Sequence, residues 1–363
     1  MNKTIRKASR LIPDRLYLSL LYYKHFHKFP NFNSPQTFNE KLQWLKLYDR
    51  RPEYTKMVDK YAVKLYIAEV IGEEYVIPTL GVWDRFEDID FNKLPDRFVL
   101  KCTHDSHSVI ICKDKAKLDI ESARQKLTSS LSRNFFYYGR EWPYKNVPPR
   151  IIAEKYMEDA KVRELRDYKI YTFNGKAKFC MINTDRGTDT RADYFDESYN
   201  WLDFTWGYSH ADVKPEKPAN YEKMFELAEK LAKGTATLRV DFYEVNAQVY
   251  FGELTFFDAS GFDKIIPESY DLKFGSWIKL PDKKVNIMAG RGKKLALNTI
   301  TSLGLQVVNV ICGFILPRLI LESFGSDVNG LVNSITQFLG VITLLDLGVG
   351  AVVQSALYKP LAE

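Results

Sequence analysis

The distribution of charge breaks near residue 285, and this break constrains the fold more than any chain average. From Asn286 to Glu363 there are five basic residues (Arg291, Lys293, Lys294, Arg318, Lys359) and four acidic ones (Glu322, Asp327, Asp346, Glu363), against 52 and 46 in the full 363 residues. The chain therefore reads as a charged, enzyme-like piece followed by an apolar tail. Its averages, 27% charged and 45% hydrophobic, exclude disorder and a wholly membrane-embedded protein. The net charge of +6 comes from interspersed residues of both signs, with no long basic tract, which argues against nucleic-acid binding. Cys102, Cys112, Cys180 and Cys312 are scattered and form no CxxC pair, so neither a disulfide framework nor a zinc ribbon is expected.

Within the tail, Leu295 to Leu316 is 22 residues without a charge, and a helix needs roughly 20 to cross a bilayer core. Leu331 to Leu345, Asp346 and Leu347 to Tyr358 would form a second span with one carboxylate inside it. Arg291, Lys293 and Lys294 precede the first span and place its N-terminal end on the cytoplasmic side. The expected location is thus the cytoplasmic face of a membrane. A buried helical hairpin in a soluble protein is the competing reading. No signal peptide is expected, because Met1 to Lys28 lacks an uninterrupted apolar core. The run from Lys293 to Ala362, above all Phe324-Gly-Ser-Asp-Val-Asn-Gly-Leu-Val-Asn-Ser334, resembles the start of Wzx-like polysaccharide flippases. Two spans cannot enclose an alternating-access path, so the resemblance implies a fusion or truncated reading frame in a polysaccharide or capsule setting, joined near Met288.

The first 285 residues begin helical and then become mixed. Helical spacing covers Pro13 to Phe29, Gln36 to Tyr48 and Lys60 to Val70, the last closed by Gly72. Strands are predicted at Phe98–Cys102 and Val109–Cys112 around a polar turn, and at Arg150–Met157. Asp167–Phe173 and Lys178–Asn183 flank Asn174-Gly175, a pair suited to a type I′ turn. Helices are expected at Asp119–Ser132 and Tyr221–Lys233, and a last hairpin joins Leu238–Glu244 to Gln248–Thr255. This is an α+β pattern with antiparallel hairpins and neither GxGxxG nor GxxxxGK[ST].

The chemistry gathers in the last hairpin. Arg239, Asp241 and Tyr243 alternate on one strand and share a face, as do Glu253 and Thr255 on the other. A turn near Asn246 and Ala247 would bring Asp241 and Glu253 together. Two carboxylates on one face favour a cation, and Mg²⁺, an oxygen-seeking ion that shares substrate phosphates, suits them. A surface ladder of charged residues is the alternative. Lys101 ends a strand ahead of Thr103-His-Asp-Ser-His-Ser108, whose backbone N–H groups could cradle phosphate, or it is an ordinary strand-end lysine. Asp59-Lys60 is equally open.

In order, these tracts resemble the ATP-grasp fold, and tract by tract the TupA-like (teichuronopeptide-biosynthesis) ATP-grasp family, over about Ile12 to Pro281. The carrying tracts are Pro35-Gln-Thr-Phe-Asn-Glu-Lys-Leu-Gln-Trp44, Asp59-Lys-Tyr-Ala-Val63, Val99-Leu-Lys101, Ala153-Glu-Lys-Tyr-Met157, Asp167-Tyr-Lys-Ile-Tyr-Thr-Phe-Asn-Gly175, Arg239-Val-Asp241 and Gly252-Glu-Leu-Thr-Phe256. The implied layout is a helical N-terminal region at 1–95, an ATP-grasp region at 96–281, a linker at 282–294 and a membrane hairpin at 295–363. The resemblance implies that Lys60 and Lys101 hold ATP phosphates and that Glu154 accepts from the adenine amino group. Lys155 and Met157 would offer backbone contacts, and Asp167 would hold the ribose. Asp241 and Glu253 would carry Mg²⁺, and Arg239 would stabilise the transferring group, with Lys169 and Arg186 as further phosphate or substrate contacts. Two departures stand out: the turn after Lys101 reads His-Asp-Ser-His-Ser where the family tends to have glycines, and Thr255 replaces the Asn of the wider fold. The implied activity is ATP-dependent joining of a carboxylate, such as a uronic acid, to an amine.

Two other functions compete. A glycosyltransferase would want a DxD-type carboxylate pair on a loop after a Rossmann-like strand, and Asp189 and Asp193, four apart in the Asp185 to Asp196 segment, fit that poorly. A degenerate nucleotide-binding module is the non-enzymatic reading. Tyr137, Tyr138, Trp142 and Tyr144, beside Arg140 and Lys145, form either a sugar-stacking platform or a loop anchor.

Overall fold

The computed structural model divides the chain into two compact units, Met1–Lys284 and Val285–Glu363. The described residues are 10–282 without 107, 160–164 and 186–188, together with Ser326, Gly330 and Val332. Apart from Asp282 at the head of the linker and Val332 in the second span, the proposed spans and linker lie outside the described residues, as do Arg186 and His107. Among those described, no helix is long and apolar enough to cross a membrane.

The first unit opens with helices α1 (Asp14–Phe26), α2 (Phe38–Tyr48), α3 (Glu53–Val58) and α4 (Val63–Val70). Helix α2 starts at Thr37 because a capping box forms there: the Thr37 hydroxyl accepts from the Glu40 N–H, and the Glu40 carboxylate accepts from the Thr37 N–H. The Lys60 helix begins three residues later than expected, since the Asp59 carboxylate first accepts from the N–H groups of Tyr61 and Ala62.

Two sheets follow. The smaller has the order β1-β4-β2-β3, from β1 (Thr79–Trp83), β2 (Phe98–Cys102), β3 (Ile110–Cys112) and β4 (Ile151–Lys155). Strand β1 lies before residue 95 yet pairs antiparallel with β4; the division expected at 95/96 thus cuts through one sheet. Phe98, Leu100, Cys102, Ile151 and Ala153 turn to one face and share a core with Ala123 and Leu127 of α5 (Ile120–Leu131). By strand alternation, Lys101 and Glu154 project from the opposite face. A short helix, α6 (Phe136–Gly139), leads on to β4.

The larger sheet has the order β10-β9-β5-β6-β7, from β5 (Asp167–Phe173), β6 (Lys176–Thr184), β7 (Arg191–Asp196), β9 (Thr237–Val245) and β10 (Gln248–Thr255). Asn174 and Gly175 both take positive φ, as a type I′ turn requires. The second hairpin turns at Asn246-Ala247, also both left-handed. Helix α7 (Tyr221–Leu231) packs on β5, β6 and β9. Its Met224, Leu227 and Leu231 share a core with Tyr168, Ile170, Val240 and Phe242, each such buried side chain contributing roughly 1.5–3 kcal/mol. Because α7 covers the face carrying Ile170 and Val240, the alternate residues Lys169 and Asp241 occupy the other face. A two-stranded ribbon of β8 (Thr205–Trp206) and β11 (Ile265–Ile266) and the helix α8 (Glu268–Trp277) complete the unit. Strand β7, the ribbon and α8 were not anticipated.

Candidate active site

Register builds the first half of the site. Lys169 on β5 sits opposite Asp241 on β9, and Asp241 opposite Glu253 on β10. Between Phe251 and Glu253 the pairing shifts by a bulge, and this brings Glu253 level with Asp241. Gly252 fits the bulge because a Cβ there would stand 3.1 Å from the Asp241 carbonyl oxygen and 3.1 Å from the Tyr243 ring. The carboxylates are within reach of each other, as expected from the hairpin.

Arg239 organises them. Its Nε donates to Asp241 Oδ1 at 2.7 Å, and its Nη2 donates to Asp241 Oδ2 at 2.8 Å and Glu253 Oε1 at 2.9 Å. Its Nη1 donates to Asp258, whose other oxygen accepts from the Tyr171 hydroxyl at 2.5 Å. Lys169 Nζ donates to Asp241 Oδ2 at 2.6 Å and Asp167 Oδ2 at 3.2 Å. Burial opposes the charge on Asp241, but Arg239 and then Lys169 outweigh it, so the carboxyl stays below its ordinary pKa. Burial likewise opposes the Lys169 charge, and Asp241 overcomes it and raises the amine. These are paired, hydrogen-bonded buried charges rather than a solvated ladder.

The smaller sheet supplies the second half. Lys101 Nζ meets Glu154 Oε2 at 2.6 Å, and Lys64 Nζ meets Glu154 Oε1 at 2.8 Å. Burial pushes the Lys60 amine down, Glu253 opposes this and Lys101 adds to it, so Lys60 lies within electrostatic reach of both halves. Its Nζ donates to the carbonyl of Asp105. Arg150 pairs with Asp59 at 2.8 Å.

In the turn after Lys101 the side chains of Thr103, His104 and Ser108 are buried. The Ser108 hydroxyl donates to Asp105 at 2.5 Å and accepts from the Cys102 N–H at 2.8 Å. The other Asp105 oxygen accepts from the Ser130 hydroxyl, and the His104 ring meets the Ser130 carbonyl at 3.1 Å. His104 and Asp105 thus tie the turn to Ser130 of α5, Thr103 donates to the Pro148 carbonyl at 3.1 Å, and the Asp105 carboxylate is held by hydroxyls.

A family model described as TupA-like ATP-grasp matches residues 40–279. The chain belongs to the TupA-like ATP-grasp family. No curated protein matches it. Among solved structures it is similar to D-alanine–D-alanine ligase from Bacillus anthracis (18% identity, 55% of this chain and 56% of that one, TM-score 0.32). It is also similar to the Helicobacter pylori ligase (16%, 66% and 69%, TM-score 0.32) and to a RimK domain ATP-grasp protein from Sphaerobacter thermophilus (13%, 62% and 69%, TM-score 0.34). At these TM-scores the likenesses carry no further argument, and the chain spans only about half the Bacillus anthracis enzyme. The family assignment rests on the matched model.

ATP with Mg²⁺ is the cofactor pair of ATP-grasp proteins, and the donors here fit it. Among the described residues no group of three or more His, Cys, Asp or Glu side chains forms a closed metal site. Asp241 and Glu253 would instead share an ion with phosphate oxygens and water, as Mg²⁺ prefers. Glu253 spends Oε1 on Arg239 and Thr255 while its side chain stays 36% exposed, and Thr255 adds a hydroxyl 3.4 Å from that oxygen.

The remaining sequence candidates divide. Asp167 is buried beside Lys169 at the start of β5. Lys155 ends β4 with an exposed side chain, its N–H donating to the Pro78 carbonyl at 3.0 Å, and Met157 follows the strand. Glu154, expected at adenine, has one lysine on each oxygen. Three residues of the site went unread: Lys64, Tyr171 and Asp258. Lys64 looked like one polar position of a helix; Asp258 follows the Glu-Leu-Thr tract closely enough to have been noticed. The loop pair Asp189 and Asp193 does not form. Asp193 is buried within β7 and accepts from the Trp201 indole and from Ala211 N–H at 3.1 and 3.2 Å. Arg140, 1% exposed, pairs with Asp14 at 3.1 Å and lies 4.2 Å from the Tyr17 ring, which makes its aromatic cluster an anchor onto α1.

Proposed function

We propose that the protein is an ATP- and Mg²⁺-dependent carboxylate–amine ligase that works through an acylphosphate. The observation that carries this is the register placing Asp241 beside Glu253 with Arg239 hydrogen-bonded to both. Bound Mg²⁺ would neutralise phosphate charge. In the first step a substrate carboxylate oxygen attacks the γ-phosphorus and ADP leaves. In the second an amine nitrogen attacks the acyl carbon, the bond to phosphate breaks, and the ammonium protons pass to phosphate and solvent. Phosphoryl transfer depends mostly on positioning and electrostatics. Lys60 and Lys101 would orient the phosphates, and Arg239, fixed by three carboxylates, would oppose charge growing on the transferring group. Lys155 and Met157 would contact adenine and Asp167 the ribose. Glu154 sits between Lys64 and Lys101 and would release Lys101 to the nucleotide when ATP enters.

The substrates would be a uronic-acid-like carboxylate of a surface polysaccharide or its precursor, and an amine. The tail's resemblance to a flippase start supports that setting and a position at the cytoplasmic face of a membrane. The test incubates the full chain with ATP, Mg²⁺ and a panel of uronic acids and amines, following ADP release and product mass. Amide product with one ADP each is expected, lost in Asp241→Ala. ATP consumption without any amide, or stabilisation by UDP-sugars alone, would defeat the reading.

A further inference from the structure

A cavity of about 370 Å³ opens beside the site. Two of its walls belong to groups already described: Asp105, whose carbonyl accepts from Lys60, and Ser260, two residues beyond Asp258. The aromatic rings of Phe135, Tyr138 and Phe262 form much of the rest, with Arg133 and Glu141 completing it. Asp105 spends both carboxylate oxygens on the Ser108 and Ser130 hydroxyls, and Arg133 donates to the Ser129 hydroxyl at 2.6 Å, so the acidic group this wall offers is Glu141. Aromatic faces beside a carboxylate suit an organic cation.

Glu141 is 6% exposed and borders this cavity. Behind it Lys46, wholly buried, donates to the Ser260 hydroxyl at 2.9 Å, the Ser260 carbonyl at 2.7 Å and Gln43 at 3.1 Å. Lys46 also stands 4.5 Å from the Phe262 ring. Three buried polar residues are thus organised behind a cavity wall, an expensive arrangement for packing alone. Burial pushes the Glu141 carboxyl above its ordinary range, with Lys46 opposing; an incoming cation would relieve that cost. The cavity also borders the chemistry. It meets the site at Asp105, whose carbonyl accepts from Lys60.

We infer that this cavity receives the amine substrate as its ammonium form, with Glu141 as the carboxylate that binds it and the Tyr138 ring covering it. This deepens the ligase reading and rests on it. The location places the amine on the side of the site bounded by Asp105 and Ser260, next to the groups that handle the phosphoryl chain.

The test is thermal unfolding of the full chain with Mg²⁺–ADP, then with glucosamine, L-alanine or ethanolamine added, for wild type, Glu141→Gln and Tyr138→Leu. At least one amine is expected to raise the wild-type midpoint beyond the ADP shift. A lost charge-assisted hydrogen bond corresponds to about a tenfold or greater rise in the concentration giving half that shift in Glu141→Gln. A smaller rise is expected in Tyr138→Leu, and the ADP shift should persist in both. No amine shift in wild type, or equal amine shifts in wild type and Glu141→Gln, overturns the assignment. If Glu141→Gln fails to fold, an undiminished shift in Tyr138→Leu overturns it. Absence of any ADP shift would instead defeat the nucleotide reading, while the amine comparison still decides the cavity.

Discussion

Asp258 bridges Tyr171 and Arg239: one carboxylate oxygen accepts from the tyrosine hydroxyl and the other from the guanidinium. Arg239 is therefore held at Nη1 as well as at the Nε and Nη2 groups that Asp241 and Glu253 take. Asp258→Asn keeps the shape but weakens the grip. ATP turnover should fall about 10- to 100-fold, while the unfolding midpoint with Mg²⁺–ADP should rise as in wild type. Equal loss of nucleotide binding would mean that Asp258 serves the fold alone.

Asp241 and Glu253 make a separate prediction about the metal. Ligand at about 100 times its dissociation constant stabilises a protein by about 2.7 kcal/mol. In Glu253→Gln the part of the ADP-induced stabilisation that depends on Mg²⁺ should disappear, leaving the Mg²⁺-independent part. Asp241→Asn should behave likewise but start from a lower midpoint, because Lys169 and Arg239 lose their buried partner. Titrating Mg²⁺ at fixed ADP reads both.

Glu154 links stability to pH. Burial penalises its charge, but Lys101 and Lys64 outweigh the penalty and hold its pKa below 4.5. A carboxyl with a lowered folded pKa contributes stability that is complete above its unfolded value and is lost as pH falls through the folded one. The stability difference between wild type and Glu154→Gln should therefore be full at pH 7 and shrink below about pH 4.5. Urea unfolding at several pH values measures it; a difference independent of pH would show that the ion pairs contribute nothing.

Gly275 sets how closely α8 approaches α2. A Cβ there would stand 2.0 Å from the Gln36 carbonyl oxygen and 2.7 Å from the Thr37 carbonyl carbon. Backbone cannot swing aside as a side-chain tip can, so Gly275→Ala should cost about 1–3 kcal/mol or more. Nucleotide affinity per folded molecule should stay unchanged. A denaturant midpoint within error of wild type would mean that the helices separate freely.

Much of the fold was readable because local chemistry and tertiary structure agreed. Asn174-Gly175 demanded a turn, and alternation in Arg239-Val-Asp241 demanded a shared face. The proposed Asp241–Glu253 pairing followed from that alternation and from a turn near Asn246 and Ala247, whereas the bulge at Gly252 that makes the two residues level was not foreseen. Strand β7 was not readable: Asp189 and Asp193 drew attention as a carboxylate pair, while burial of Asp193 depends on Trp201 and Ala211 folding back over it. Glu154 shows the same limit. Its strand was clear, but the lysines on its carboxylate come from β2 and α4, and no spacing within β4 encodes them. The ties of the turn after Lys101 were hidden for the same reason, since Ser130, which donates to Asp105, lies on α5.

Strand β10 ends the order of the larger sheet and, among the described residues, pairs with β9 alone. Its placement is set by the Asn246-Ala247 turn and corrected by the bulge at Gly252. Since side chains alternate, sliding this strand by one residue would replace Glu253 with a glycine or a leucine on the working face and leave Asp241 without its companion. The chemistry of the site thus depends on chain length as much as on residue identity: deleting one residue from Gln248–Phe251 would erase the acidic pair while every carboxylate remained in the sequence.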